Sequence, residues 1–208
     1  MERYLITQSL LSSWLYTFNC PEGYEEDARE EYLNALNRIP KEPNEAIQNG
    51  IMFEQECYRE ASGNRKEKNL DAYQWEPGIK AVADIIRGAP VQVKASRELE
   101  CCGMTFLIYG ILDALKAGTI YDVKFLNKSM GGAELAGKYL ESPQHPAYFY
   151  IVPEATEFKY LVSDGKDLYI ETYERSQVPH IRSYAEMFIG SLKTDGLLDL
   201  YKEKWLAL

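Results

Sequence analysis

No apolar run in these 208 residues approaches the roughly 18 to 20 that a membrane-spanning helix needs. The opening Met-Glu-Arg-Tyr-Leu has neither the basic region nor the apolar stretch of a secretory signal. The expectation is a cytoplasmic protein with no membrane partner. Basic residues are outnumbered, 23 Lys and Arg against 32 Asp and Glu for a net charge of -9. That balance excludes a protein that grips nucleic acid through bulk positive charge. It does not exclude a nucleic-acid enzyme, because bound cations offset part of a site's own negative charge. Basic residues gather at Asn64-Arg65-Lys66-Glu67-Lys68 and from Lys124 to Lys138, a pattern that also suits a plain solvated face. The four cysteines, Cys20, Cys57, Cys101 and Cys102, form no Cys-x-x-Cys pair, so they read as reduced, packing thiols. A Gly-x-x-x-x-Gly-Lys-Ser/Thr phosphate loop is missing, so no motor of the chain's own is expected. Of the two histidines, His145 adjoins Gln144 and suits a solvent-facing helix position, while His180 follows Pro179 and suits a cap or packing role. Trp14, Trp75 and Trp205 could stack on bases, but their scatter favours core or interface packing.

What is present is enough apolar material, 46% of residues, for one domain with a helical elaboration. Residues 1–89 read as mainly helical, 90–172 as a sheet core and 173–208 as a C-terminal helix. Thr7 or Ser9 can cap a helix through Phe18 that stops at Cys20-Pro21. A second runs from Glu22 to Ile39 before Pro40. Asn44 can cap a third, to about Ala61, and a fourth runs from about Tyr73 or Pro77 to Arg87. The period then changes to two, with strands expected at Val91 to Glu100, Met104 to Leu115, Thr119 to Leu126, Glu157 to Val162 and Asp167 to Thr172. Helices fit Ala133 to Leu140, Pro143 to Val152 and Gln177 to Trp205. The fold class is α/β (α+β), a mixed sheet flanked by helices.

The most informative stretch is Gly110-Ile-Leu-Asp-Ala-Leu-Lys-Ala-Gly-Thr-Ile-Tyr-Asp-Val-Lys124. A turn centred on Ala117 and Gly118 sets Asp113 opposite Asp122, with Cβ atoms about 4.5 to 5.5 Å apart. Lys124 emerges on the face of Asp122, two residues on. Two carboxylates so close repel unless something compensates. A hard divalent cation such as Mg2+ takes oxygen ligands and keeps waters, leaving room for a substrate phosphate and a nucleophile. A surface hairpin whose Asp and Lys face water has the same spacing.

On the third helix, Ile47, Gly50, Ile51, Glu54, Tyr58 and Ala61 recur at intervals of three and four, which sets Glu54 on an apolar stripe. A core-facing carboxylate needs a partner, a metal shared with Asp113 and Asp122 or a cation such as Arg59 or Lys80; the same spacing also suits a Glu that snorkels at the edge of the stripe. Downstream, Ser142-Pro143 reads as an N-cap followed by proline at the first helical position, with Gln144 and Tyr148 on one face at i, i+4. An amide and a phenol can hydrogen-bond a phosphate or an attacking water, and the same residues equally suit amphipathic packing.

In order and spacing these motifs resemble the PD-(D/E)XK nuclease superfamily, in its RecB-like and phage-type (lambda exonuclease-like) branch. The resemblance covers most of the chain: an N-terminal helix leading to Cys20-Pro21, Gly50-Ile-Met-Phe-Glu54, Gly110-x-x-Asp113, Asp122-Val-Lys124 and Gln144-x-x-x-Tyr148. It implies a restriction-endonuclease-like core in a single domain over 1–208. It further implies Glu54, Asp113 and Asp122 as metal ligands with the Val123 carbonyl as another, Lys124 as the residue that orients or activates water, and Gln144 and Tyr148 as supports of the site and the scissile phosphate. One or two Mg2+ or Mn2+ ions would serve. Iron–sulfur members of the branch use three cysteines near the C-terminus, whereas no cysteine follows Cys102 here, so no such cluster is expected. The implied activity is a metal-dependent deoxyribonuclease, an exonuclease on linear duplex ends or single strands in phage or mobile-element recombination. A homo-oligomer and a single-strand annealing partner are implied possibilities. The alternative is a non-catalytic binding or assembly module on the same fold, beside a recombination partner.

Overall fold

Strand β3 (Met104–Lys116) organises the molecule, which was obtained as a computed structural model describing residues 2–65, 72–130 and 135–207. Along one edge it pairs antiparallel with β2 (Val91–Cys101) from Cys101↔Met104 to Val91↔Ala114. Its other edge is shared: β1 (Arg3–Thr7) runs parallel to Thr105–Tyr109, and β4 (Thr119–Phe125) runs antiparallel to Ala114–Lys116. Beyond β4 lie β5 (Glu157–Ser163), parallel to it, and β6 (Leu168–Glu174), antiparallel to β5. The sheet is therefore mixed, with six strands in the order β1-β3-β4-β5-β6 and β2 on β3. Strand β1 was not anticipated from sequence; residues 1–89 are helical only after it.

Helices cover both faces, giving the expected α/β class. On one side α3 (Glu45–Ala61) and α4 (Glu76–Ile86) close a core of Phe53, Cys57, Ile79, Val82 and Ile86 against Val123 and Leu161. On the other, α1 (Gln8–Asn19), α2 (Glu25–Leu36), α5 (Gln144–Ile151), α6 (Ile181–Thr194) and α7 (Leu198–Lys204) pack over Ile6, Phe106, Ile108, Phe158 and Tyr160. Burial of each large side chain contributes about 1.5 to 3 kcal/mol. Two caps fall where the sequence puts them: Thr7 Oγ1 accepts from the Leu10 N–H and Asn44 Oδ1 from that of Ile47, as helix starts favour.

Several boundaries differ from expectation. Pro143 is the residue before α5 rather than its first, and Ser142 Oγ accepts from the Gln144 N–H. The segment Gln177 to Trp205 is two helices, α6 and α7, because the chain turns at Asp195-Gly196, where Gly196 has φ +69°. The helix expected from Ala133 begins outside the described residues, and Leu135–Glu141 form turns rather than helix.

The core-facing stripe of α3 is also rotated from the one expected. Phe53, Glu56, Cys57 and Ala61 point inward, while Ile47 and Ile51 are exposed. Glu54 therefore stands at the flank of the helix, between core and solvent. Of the basic run near residue 65, Arg65 is buried in ion pairs with Glu56 (2.7 Å), Glu76 (2.8 Å) and Glu60 (3.5 Å). It is structural rather than free for a ligand, and Lys66 to Lys68 lie outside the described residues. The four cysteines are all free thiols. Among the described residues no helix is long and apolar enough to cross a membrane.

Candidate metal and phosphate site

The sharing of one β3 edge leaves a gap. β1 ends against Tyr109 and β4 begins at Ala114, so Gly110 to Asp113 have no strand partner on that side. The hairpin register is the one the sequence predicts: Lys116↔Thr119, Leu115↔Ile120 and Ala114↔Tyr121. Ala117 (φ +50°) and Gly118 (φ +80°) make the two-residue turn, a conformation that matches the twist of the paired strands. The ladder then stops one pair short of Asp113 and Asp122. In its place Asp113 Oδ2 accepts the Val123 N–H at 2.7 Å, satisfying a backbone donor that would otherwise be orphaned.

Into this gap side chains arrive from both faces of the sheet. From the α5 side, Gln144 donates its amide to Asp122 Oδ1. Tyr148 lays its ring over Gly110, where a Cβ would overlap ring carbons. Its hydroxyl donates to the Ile111 carbonyl at 2.9 Å. The close approach accounts for glycine at 110, and the Tyr148 proton is committed to the backbone. From the α3 side comes Glu54, held by its neighbour Phe53, which stacks on Phe125 at a centroid distance of 4.8 Å. The loop after β4 is tied to α3 as well, through Asn127 to the Ala46 carbonyl (3.2 Å) and Asn49 to Asn127 (3.0 Å). Neither expected cationic partner reaches Glu54: Arg59 pairs with Glu56 and Lys80 with Glu76. Its Oε1 accepts from the Tyr58 hydroxyl at 2.7 Å and from Gln92 Nε2 at 3.1 Å.

Lys124 Nζ lies 2.7 Å from Asp122 Oδ2. Among the described residues the Lys124 ammonium is the partner of this buried oxygen. Burial first, and the charges of Asp122 and Glu54 after it, push Asp113 well above the usual carboxylate range; the Val123 N–H and Lys124 oppose this only in part. Glu54 is also raised, chiefly by burial. Burial pulls the Lys124 ammonium down, but the charge and hydrogen bonding of Asp122, with Asp113 behind them, outweigh it and raise the group.

Among the described residues, no three His, Cys, Asp or Glu side chains converge closely enough to hold an ion where they stand. In donor type the set nonetheless fits a hard cation, which takes carboxylate and carbonyl oxygens. Among the described residues Asp122 Oδ2 faces the Lys124 ammonium and Asp113 Oδ1 faces the Gln92 amide at 3.5 Å. Just past Lys124 the chain lines a cleft of about 590 Å³, with Lys128 and Lys138 on its wall.

Of the side chains singled out from sequence, Asp122 touches Lys124 and Gln144, Asp113 holds the Val123 N–H, Glu54 is linked to Asp113 through the Gln92 amide, and Tyr148 reaches β3 at Gly110 and Ile111. Sequence reasoning missed Gln92 as a neighbour of Glu54 and Asp113. Its signal was faint, a polar residue at an exposed position of an alternating strand. Tyr58 was named only as part of a stripe, and its position four residues after Glu54 was the available clue. His145 is not solvent-facing but buried, 3.1 Å from the Tyr160 hydroxyl and stacked on Tyr173. His180 caps α6, its Nδ1 accepting from the Arg182 N–H. Trp14, Trp75 and Trp205 all lie in the core.

No family model matches the chain, and no curated protein matches it. Among solved structures, the crystal structure of SSO0001 is similar, with a TM-score of 0.52 and 16% identity over 92% of this chain and 78% of that one. At that identity the likeness concerns the fold alone, and it agrees with an α/β domain built on a mixed sheet between helices.

Proposed function

We propose that this chain is a divalent-cation-dependent deoxyribonuclease of the PD-(D/E)XK kind, acting as an exonuclease on DNA ends. One observation carries the reading: at a splayed hairpin, Asp122 holds Lys124 and Gln144, Asp113 holds the Val123 N–H, and the Gln92 amide links Asp113 to Glu54. Carboxylates buried where they repel one another are costly to fold unless a cation joins them. A bound Mg2+ or Mn2+ would supply acidification of water and neutralisation of phosphoryl charge. Glu54, Asp113, Asp122 and the Val123 carbonyl would hold it.

The chain's own residues do the rest. Asp113 pins the Val123 peptide through its N–H, which fixes the path of β4 between the two aspartates. Gln144 orients Asp122. Lys124, paired with Asp122, would serve as a charged donor to a water or a phosphoryl oxygen. Tyr148 holds the β3 backbone and does not reach for phosphate with its proton. Lys128 and Lys138 give the cleft that starts at Phe125, the residue after Lys124, the local positive charge that an otherwise acidic chain needs to hold a DNA strand.

The test is release of acid-soluble nucleotides from end-labelled linear duplex and single strands, with closed circles as control, in Mg2+ or Mn2+ and in EDTA. Metal-dependent loss of linear DNA that spares circles and vanishes in Lys124→Ala is the expected result. A folded wild type inactive on every substrate would instead favour the second reading, a nuclease-fold binding module. The observation on that side is the separation of the three carboxylates in the present arrangement.

A further inference from the structure

Gln92, the second residue of β2, has φ +54°, a left-handed conformation that side chains other than glycine rarely adopt. The ladder pairs Val91↔Ala114 and Val93↔Leu112 and skips Gln92, which lies opposite Asp113. At Asp113, therefore, β3 has lost its regular partner on both edges at once. The Gln92 amide nitrogen occupies the space this opens, 3.0 Å from the Tyr58 hydroxyl oxygen, 3.1 Å from Glu54 Oε1 and 3.5 Å from Asp113 Oδ1.

Three oxygens around one nitrogen exceed what an amide can satisfy, since an NH2 group carries two protons. The Tyr58 proton is already given to Glu54, so the phenol oxygen is an acceptor like the other two. An exposed residue in a strained backbone conformation is thus holding a nitrogen with partial positive charge inside an all-oxygen cluster. Oxygen clusters of this kind are what hard divalent cations select, and an amide is a weak substitute for one.

We propose that Gln92 is a positioning residue of the cation site: its amide bridges Glu54 and Asp113 at the place a divalent cation would take, and gives up that place when the cation binds. The inference rests on the metal-dependent reading above. It predicts that ion binding must break the Gln92 contacts, so that removing the amide makes binding tighter rather than weaker.

The experiment is calorimetric titration of Mn2+ into wild type, Gln92→Ala and Gln92→Gly, with folding of each checked by circular dichroism. Losing about one net hydrogen bond's worth of competition corresponds to an affinity about fivefold higher in both variants. Alanine keeps a side chain at the strained position and glycine does not, so a gain confined to glycine would assign the effect to the backbone and overturn the proposal. Unchanged affinity would place Gln92 away from the ion, and weaker affinity would make its amide oxygen a ligand; either result overturns the displacement role and leaves the nuclease reading standing. Absence of Mn2+ binding in the wild type would end both.

Discussion

The ring of Tyr148 packs against the bare Cα of Gly110, and its hydroxyl reaches one residue on to the Ile111 carbonyl. The contact seats α5 in the gap that β1 and β4 leave along β3. It is also what puts Gln144, one turn earlier on α5, within reach of Asp122.

Gly110→Ala should therefore act as an overpacking mutation at the site's foundation. The added methyl group overlaps a buried aromatic ring rather than a flexible chain end, so a loss of about 1 to 3 kcal/mol is expected. Tyr148→Phe, which keeps the ring and drops one hydrogen bond, should cost about 1 kcal/mol. Urea unfolding of both variants checks the order. Equal losses would mean that the hydroxyl rather than the ring contact seats the helix.

Gln144→Ala should strip Asp122 of its amide donor while leaving the helix intact. Partners that orient a metal-ligating carboxylate typically account for about 10 to 100-fold in metal affinity or activity. A drop of that size in Mn2+ affinity, measured by titration calorimetry on folded variant, is the expected outcome. Wild-type affinity would reduce Gln144 to a packing residue.

The hairpin was legible because its two-residue turn and the alternation of its strands leave a single register that buries Ile120 and Ala114. Glu54 was legible for its helix, and its place at the edge of an apolar stripe was one of the alternatives the spacing left open. The stripe drawn through Ile47 and Ile51 lies about one helical position from the buried line of Phe53, Cys57 and Ala61, and both lines satisfy a period of 3.6. Strand β1 was hidden because it pairs parallel with a segment some hundred residues away, and nothing local announces such a pairing. Gln92 was hidden for a different reason. A left-handed residue inside a strand ordinarily reads as glycine, so a glutamine there gives no sign of the interruption it makes. The break between α6 and α7, by contrast, was signalled by Asp195-Gly196 and overlooked in favour of a longer amphipathic run.

His145 should make the fold acid-sensitive. Burial lowers its imidazole from the ordinary value to about 4, so between about pH 6.5 and 4 the unfolded chain binds a proton that the folded chain refuses. Stability contributed by the neutral ring is present above the unfolded value and falls as pH drops through that window, by about 3 kcal/mol in all. Urea unfolding at stepped pH should show that decline in wild type and a flatter one in His145→Asn, which does not titrate. Parallel curves would mean that the ring protonates in place.

The carboxylates at the site have the opposite sign. Burial, with the neighbouring negative charges behind it, holds Glu54 and Asp113 above their ordinary values, so the folded protein takes up protons that the unfolded chain has already released. Their effect is a loss of stability that grows as pH rises from the unfolded values through the folded ones and persists at neutral pH. A divalent cation replaces those protons and should bind more tightly as they leave. The melting temperature should therefore rise on adding Mn2+, and rise more at about pH 7.5 than at about pH 5. With the ion at a hundred times its dissociation constant the gain is about 2.7 kcal/mol, or about 5 to 10 °C for a domain of this size. Chelation with EDTA should return the melting temperature to its starting value, and Asp113→Asn should lose most of the shift while the metal-free protein becomes more stable. A shift of equal size at both pH values would place the ion away from Glu54 and Asp113.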